Sequence, residues 1–170
     1  MYLFVDIDGV LVAGHDRQQH RFKSFSPRCA EAMRHIISEV PDVRLILSSV
    51  WRIYKTHLAL EQCEEHGIPP FDDCTPVLQH HRGDEIYEFL HRTVPGAHCA
   101  IVDDEVCDIV PCHKRGVFQT DFDEGLTMDL ARKIVAYLKQ EEGAEDNHLL
   151  DACTTPPGHG RTVDSPYGEW

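Results

Sequence analysis

Asp6 and Asp8 stand two residues apart, directly after the apolar run Tyr2-Leu3-Phe4-Val5 and just before Gly9. Two carboxylates this close repel one another in a buried site unless a proton or a cation separates their roles. A divalent metal ion does that. Mg2+ prefers hard oxygen ligands and takes one or two carboxylates together with waters and a phosphate oxygen. Asp6 and an acidic residue of the pair Asp103-Asp104 are therefore candidate ligands. Ser48, which follows Leu45-Ile46-Leu47, is a candidate to bind a phosphoryl oxygen, whereas Ser49 would serve equally well as a cap for a following helix.

These residues sit at the ends of elements that the hydropathy pattern delimits. Residues 2–5 read as a buried strand that delivers polar groups at its carboxyl end. Ser26-Pro27 is a helix start, an N-cap hydroxyl before a proline at the first helical position, and Ala30, Met33 and Ile37 then share one face of a helix over 27–39. Residues 43–47 read as a second strand ending in Ser48-Ser49, and a helix from near Ile53 is expected to stop at Gly67. Ile86, Phe89 and Leu90 mark a short helix after Arg82. Pro95-Gly96 then turns the chain into a third strand over 98–102, which ends in Asp103-Asp104. Val117-Phe118 suggests a short fourth strand, and Leu130, Ile134, Tyr137 and Leu138 mark a last helix capped by Thr127.

Strands alternating with helices imply the α/β class: a Rossmann-like parallel sheet with helices on both faces, whose ligands bind at the carboxyl ends of the strands. All the polar clusters lie there. Residues 1–140 are expected to form this domain. Residues 141–170 are acidic, then rich in Thr, Pro and Gly without apolar periodicity, and read as a flexible tail.

A chain of 170 residues accommodates one such domain with a real core. It is 42% apolar and 26% charged, as ordinary globular proteins are, and no run approaches the ~18–20 apolar residues of a membrane span. A membrane role is not expected. Seven cysteines without paired spacing argue for reduced thiols, and the N-terminus lacks the pattern of a signal peptide, so a cytoplasmic address is expected. Sixteen basic against twenty-nine acidic residues give a net charge of −13, which repels polyanions at long range and confines any nucleic-acid contact to a local one. His80-His81, Cys107, Cys112 and His113 show no recognised zinc-ligand spacing.

Asp6-Ile7-Asp8-Gly9-Val10-Leu11, Ser48 after Leu45-Ile46-Leu47, and Asp104 with Asp108 after Ile101-Val102 together resemble the haloacid dehalogenase (HAD) superfamily, over about residues 1–140. Leu47-Ser48-Ser49-Val50-Trp51-Arg52, Arg82-Gly83-Asp84-Glu85-Ile86 and Gly125-Leu126-Thr127 further resemble the branch found beside RNA-repair modules. The resemblance implies a phosphatase in which Asp6 attacks phosphorus to form an aspartyl-phosphate. Asp8 would give a proton to the leaving group and later take one from water. It also implies Mg2+ held by the Asp6 carboxylate, the Asp8 backbone carbonyl and Asp104, with Ser48 on a phosphate oxygen. Asp103 and Asp108 are left as supporting or loop carboxylates. One departure stands out: the superfamily's phosphate-binding lysine has no counterpart between Lys55 and Lys114. Arg82 is the first substitute and Arg52 the second, since a guanidinium binds phosphate bidentately.

By this resemblance the chain hydrolyses phosphomonoesters. One alternative is a polynucleotide-end phosphatase. Another is a module that keeps the fold for binding or regulation without turnover, against which the joint presence of Asp6, Asp8 and Asp104 argues. The implied partner is a phosphorylated substrate, a nucleic-acid end or a nucleotide being candidates, and the oligomeric state is not legible. Members of the superfamily often carry a cap domain, but the intervals 12–25 and 69–81 fall short of the ~40 residues that a folded unit needs. No large cap is expected. Selectivity at an open site would then rest on loop residues such as His15, Arg17, Arg21 and Trp51, although Trp51 reads first as core.

Overall fold

The computed structural model describes residues 1–17, 24–78, 81–110 and 116–140. Arg21, His80, Cys112, His113 and the segment 141–170 lie outside them, as does the side chain of Arg17. The apolar runs become β1 (Tyr2–Val5), β2 (Arg44–Leu47), β4 (Cys99–Asp103) and β5 (Val117–Gln119), joined by a two-residue strand β3 (Asp73–Cys74). All pairings are parallel and the strand order is β3-β2-β1-β4-β5. Parallel neighbours need crossovers: α1 (Gly14–Arg17) and α2 (Pro27–Glu39) lie between β1 and β2, α3 (Trp51–Tyr54) and α4 (Thr56–Glu65) between β2 and β3, and α5 (Arg82–Thr93) between β3 and β4, while α6 (Met128–Leu138) follows the last strand. Among the described residues there is no cap domain. The α/β fold is as the alternating pattern implies.

Strand periodicity decides the layering, because successive side chains point to opposite faces. Leu3, Val5, Leu45, Leu47, Ala100 and Val102 join one buried cluster with Cys29, Ala30 and Met33 of α2 and Ala131, Ile134 and Leu138 of α6. Tyr2, Phe4, Ile46 and Ile101 form the other with Ile86 and Phe89 of α5. There Phe4 meets Phe89 edge to face at 5.5 Å, and burying each such side chain contributes roughly 1.5–3 kcal/mol.

Local chemistry sets the boundaries, and it corrects some of the expected ones. Pro27 does open α2, but the Ser26 hydroxyl makes no capping bond and has no partner among the described residues. Thr127 caps α6 as expected, its hydroxyl accepting from the Leu130 N–H at 3.2 Å. Gly67, at φ 63°, ends α4 in a Schellman turn with Ile68 N–H on the Cys63 carbonyl and Gly67 N–H on the Glu64 carbonyl. The helix expected from near Ile53 starts at Trp51 and is broken at Lys55. There the Thr56 hydroxyl donates to the Arg52 carbonyl at 2.8 Å, replacing the amide of a continuous helix. β3 carries no apolar alternation in its sequence. Its two exposed residues pair only because β2 lies beside them.

Candidate active site

Register carries the first three polar side chains to one place. Val5 pairs with Leu47 on one side and with Val102 on the other, so Asp6, Ser48 and Asp103 stand abreast one residue further on. Neighbouring strands are about 4.8 Å apart, which makes a row of polar groups across the sheet's carboxyl edge. By alternation this row projects to the face of Phe4, Ile46 and Ile101, the face that α5 covers. Arg82 is the first residue of α5 and reaches the row from above. Its Nη1 lies 3.3 Å from Asp6 Oδ1 and also bonds Asp103 Oδ2. The helix start is itself held down, with the Arg82 N–H donating to Asp108 Oδ2 at 3.1 Å.

Asp6 and Asp103 are nearly inaccessible to solvent, and Asp104 is partly buried. An oxygen from each of the three lies within 4.8 Å of the others. Burial raises the Asp6 carboxyl to about 7, against the lowering effect of Arg82 and of a Ser49 hydrogen bond, while neighbouring Asp103 raises it further. Burial likewise raises Asp103 and Asp104, with Arg82 opposing in both. One arginine does not compensate three carboxylates. A hard divalent cation fits this donor set, which is all carboxylate oxygen in a confined volume.

The two neighbouring aspartates differ in what they are free to do. Asp103 Oδ2 is taken by Arg82 and Oδ1 accepts from the Glu105 N–H at 3.0 Å. Asp104 instead presses its carboxylate against Gly9, whose φ is 76°. A Cβ at that position would lie 2.4 Å from Asp104 Cγ, so the glycine is required both by backbone conformation and by the approach of this side chain. The Gly9 carbonyl is fixed in turn by the buried Thr120 hydroxyl at 2.7 Å.

Ser48 is fully buried, and its hydroxyl has no partner among the described residues. An orphaned hydroxyl beside Asp6 is a vacant donor for an anion's oxygen. Ser49 hydrogen-bonds Asp6, and its hydroxyl also accepts weakly from the Trp51 N–H at 3.4 Å, so it serves both the site and the helix start. Trp51 is fully buried, as a core residue should be, yet its indole N–H donates to Asp8 Oδ2 at 2.8 Å. Its sequence signal, an aromatic at a helix start, reads first as core and second as a contact for substrate, and does not reveal the bond to Asp8.

Arg52 does not join the row. Its guanidinium is buried beneath the β2 loop, bonded to backbone carbonyls and to Glu85, whereas Arg82 faces Asp6. His15 is exposed near the amino end of α1. Of the described cysteines, Cys63, Cys74, Cys99 and Cys107 are free thiols, and the Cys29 thiol donates to the Glu124 carbonyl at 3.5 Å. No helix among the described residues is long and apolar enough to cross a membrane.

Over residues 2–131 the chain matches the family model described as the HAD domain in Swiss Army Knife RNA repair proteins. Neither comparison with curated proteins nor comparison with solved structures yields a match.

Proposed function

The chain belongs to the HAD domains of Swiss Army Knife RNA repair proteins, and from that membership we propose that it is a Mg2+-dependent phosphomonoester hydrolase working through an aspartyl-phosphate on Asp6. The observation that carries this is a buried Asp6 flanked by the unpartnered Ser48 hydroxyl on one side and by the Arg82–Asp103 pair on the other. A nucleophile needs a bound, oriented phosphate beside it, and both flanks offer donors to phosphate oxygens.

In this mechanism a carboxylate oxygen of Asp6 attacks phosphorus while the bond to the ester oxygen breaks. Asp8, held by the Trp51 indole, protonates the departing oxygen. The same carboxylate then takes a proton from a water, which attacks the phosphoryl group, releases phosphate and restores Asp6. Arg82 and Ser48 bind non-bridging oxygens through both steps. Asp6 and Asp104 are the side chains proposed to hold Mg2+, with the Asp8 backbone carbonyl, while Asp103, bonded by Arg82 and the Glu105 N–H, supports them. The ion, when bound, cancels repulsion between the carboxylates and the phosphate.

For substrate we propose a terminal phosphate on a large molecule, a nucleic-acid end before a free nucleotide, in the cytoplasm. The absence of a cap among the described residues favours this, since an open site encloses a small metabolite poorly. With Mg2+ present, kcat/KM for a phosphorylated oligonucleotide should exceed that for its mononucleotide, and excess chelator should abolish both activities. Full turnover in chelator would overturn the metal requirement. A hundredfold preference for the mononucleotide would overturn the substrate.

A further inference from the structure

Two motifs of the sequence, Ser48-Ser49-Val50-Trp51-Arg52 and Arg82-Gly83-Asp84-Glu85, are only half used by the proposed chemistry. Arg52 and Glu85 remain. They meet in the interior: the two side chains are 4% and 8% exposed, and Arg52 Nη2 bonds Glu85 Oε2. Every N–H of Arg52 has an acceptor. Nη1 donates to the carbonyls of Ser48 at 2.9 Å and Ser49 at 2.8 Å, and Nε to that of Thr75 at 3.1 Å. Nη2 serves the Pro76 carbonyl at 3.3 Å together with Glu85. With five donors and five acceptors, nothing is left for a phosphate. The second oxygen of Glu85 accepts from the Leu78 N–H at 3.0 Å.

Resting on the function proposed above, we infer that Arg52 and Glu85 are a positioning pair that sets Ser48 and Arg82 at working distance from each other. These two phosphate donors come from separate elements. Ser48 directly follows β2, while Arg82 opens α5 on the other side of β3. Arg52 grips the loop after β2 and the loop after β3. Glu85, three residues along α5 from Arg82, ties that grip to the helix. Turning the Ser48 and Ser49 carbonyls toward Arg52 also turns the next amide N–H groups the other way, because each peptide is trans. A lysine has three donors on one point and cannot reproduce this five-way fork.

The test compares Arg52→Lys, Glu85→Ala and Glu85→Gln with the wild type. It reads kcat/KM on p-nitrophenyl phosphate with Mg2+ per folded molecule, and orthovanadate affinity by calorimetry. Arg52→Lys and Glu85→Ala are expected to lose about thirtyfold or more in kcat/KM and to weaken vanadate about tenfold, since small displacements of binding groups are costly. Glu85→Gln, which keeps the shape and one of the two acceptor oxygens, is expected to retain about threefold more activity than Glu85→Ala. If Glu85→Ala does not fold, Glu85→Asp replaces it, with the same losses expected from its shorter reach. Variants that melt earlier yet match the wild type in kcat/KM and vanadate affinity would overturn the inference, leaving the pair only structural. Wild-type protein that binds vanadate but hydrolyses no ester would defeat the hydrolase proposal alone, and the vanadate series would still decide the pair. If the wild type neither binds nor hydrolyses, both proposals fall.

Discussion

The two halves of the sheet's carboxyl edge each contain an arginine, and they use it in opposite ways. On the β1–β4 half, Arg82 is 24% exposed at its side chain and lies over Asp6 and Asp103, two carboxylates that one cation cannot neutralise. On the β2–β3 half, Arg52 is 4% exposed and saturated by four carbonyls and Glu85. The first half is electrostatically unfinished and so suited to ligands. The second is finished and so suited to holding shape. A buried charge with all its donors matched gives rigidity, whereas one facing excess opposite charge is available for exchange.

The largest way to break this contrast is at the proposed nucleophile, Asp6. Asp6→Asn should lower kcat by about four orders of magnitude or more, because an amide is a poor nucleophile and nucleophile losses are of this size. Single-turnover assays with 32P-labelled substrate should show no labelled phosphoenzyme in the variant. Next in size is Arg82→Ala, which removes the cation of the unfinished half. kcat/KM should fall about 10²–10³-fold in steady-state assays, with Arg82→Lys recovering part of the loss as a point charge. Ser48→Ala should cost about tenfold in phosphate affinity, one hydrogen bond to a charged group, with melting temperature unchanged or raised because the hydroxyl has no partner among the described residues.

A further effect is on stability, and it belongs to the unfinished half. The Asp6 carboxyl is pushed up to about 7 by burial, from an ordinary 3.8, so the folded chain holds a proton that the unfolded chain has released. Stability contributed here is present below the lower value and lost as pH rises through the higher one. Asp103 acts in the same direction. Denaturant unfolding in chelator should therefore show stability falling between about pH 4 and 7, and Asp6→Asn, always neutral, should flatten that slope. A slope unchanged by Asp6→Asn would mean that the excess charge resides elsewhere.

Much of this was legible from local pattern alone. The apolar runs, Pro27, Thr127 and Gly67 specify their elements through short-range sterics and hydrogen bonds, and the alternation of strand and helix leads to a parallel sheet. Asp6, Ser48 and Asp103-Asp104 were recognisable because a polar residue directly after a buried strand lands on the ligand-binding edge. The strand β3 was not legible, since its pairing depends on a neighbour distant in sequence. The helix break at Lys55 depends on a side-chain hydroxyl competing with an amide, which composition does not reveal.

What the sequence by itself determined was the fold class and the residues whose types can do chemistry at the strand ends. The division of labour among them was decided only by the tertiary structure. Arg52 and Arg82 are equivalent as residues, both in basic-after-motif positions, yet one ends under a loop and the other over a carboxylate. Asp103 and Asp104 are adjacent and chemically identical, but strand pleating points one to Arg82 and the other to the space that Gly9 leaves open. Trp51 is core by its burial and part of the site by one hydrogen bond. In each case the role follows from which partner lies within about 3 Å, and contacts between residues 21 to 43 positions apart exist only once the chain has folded.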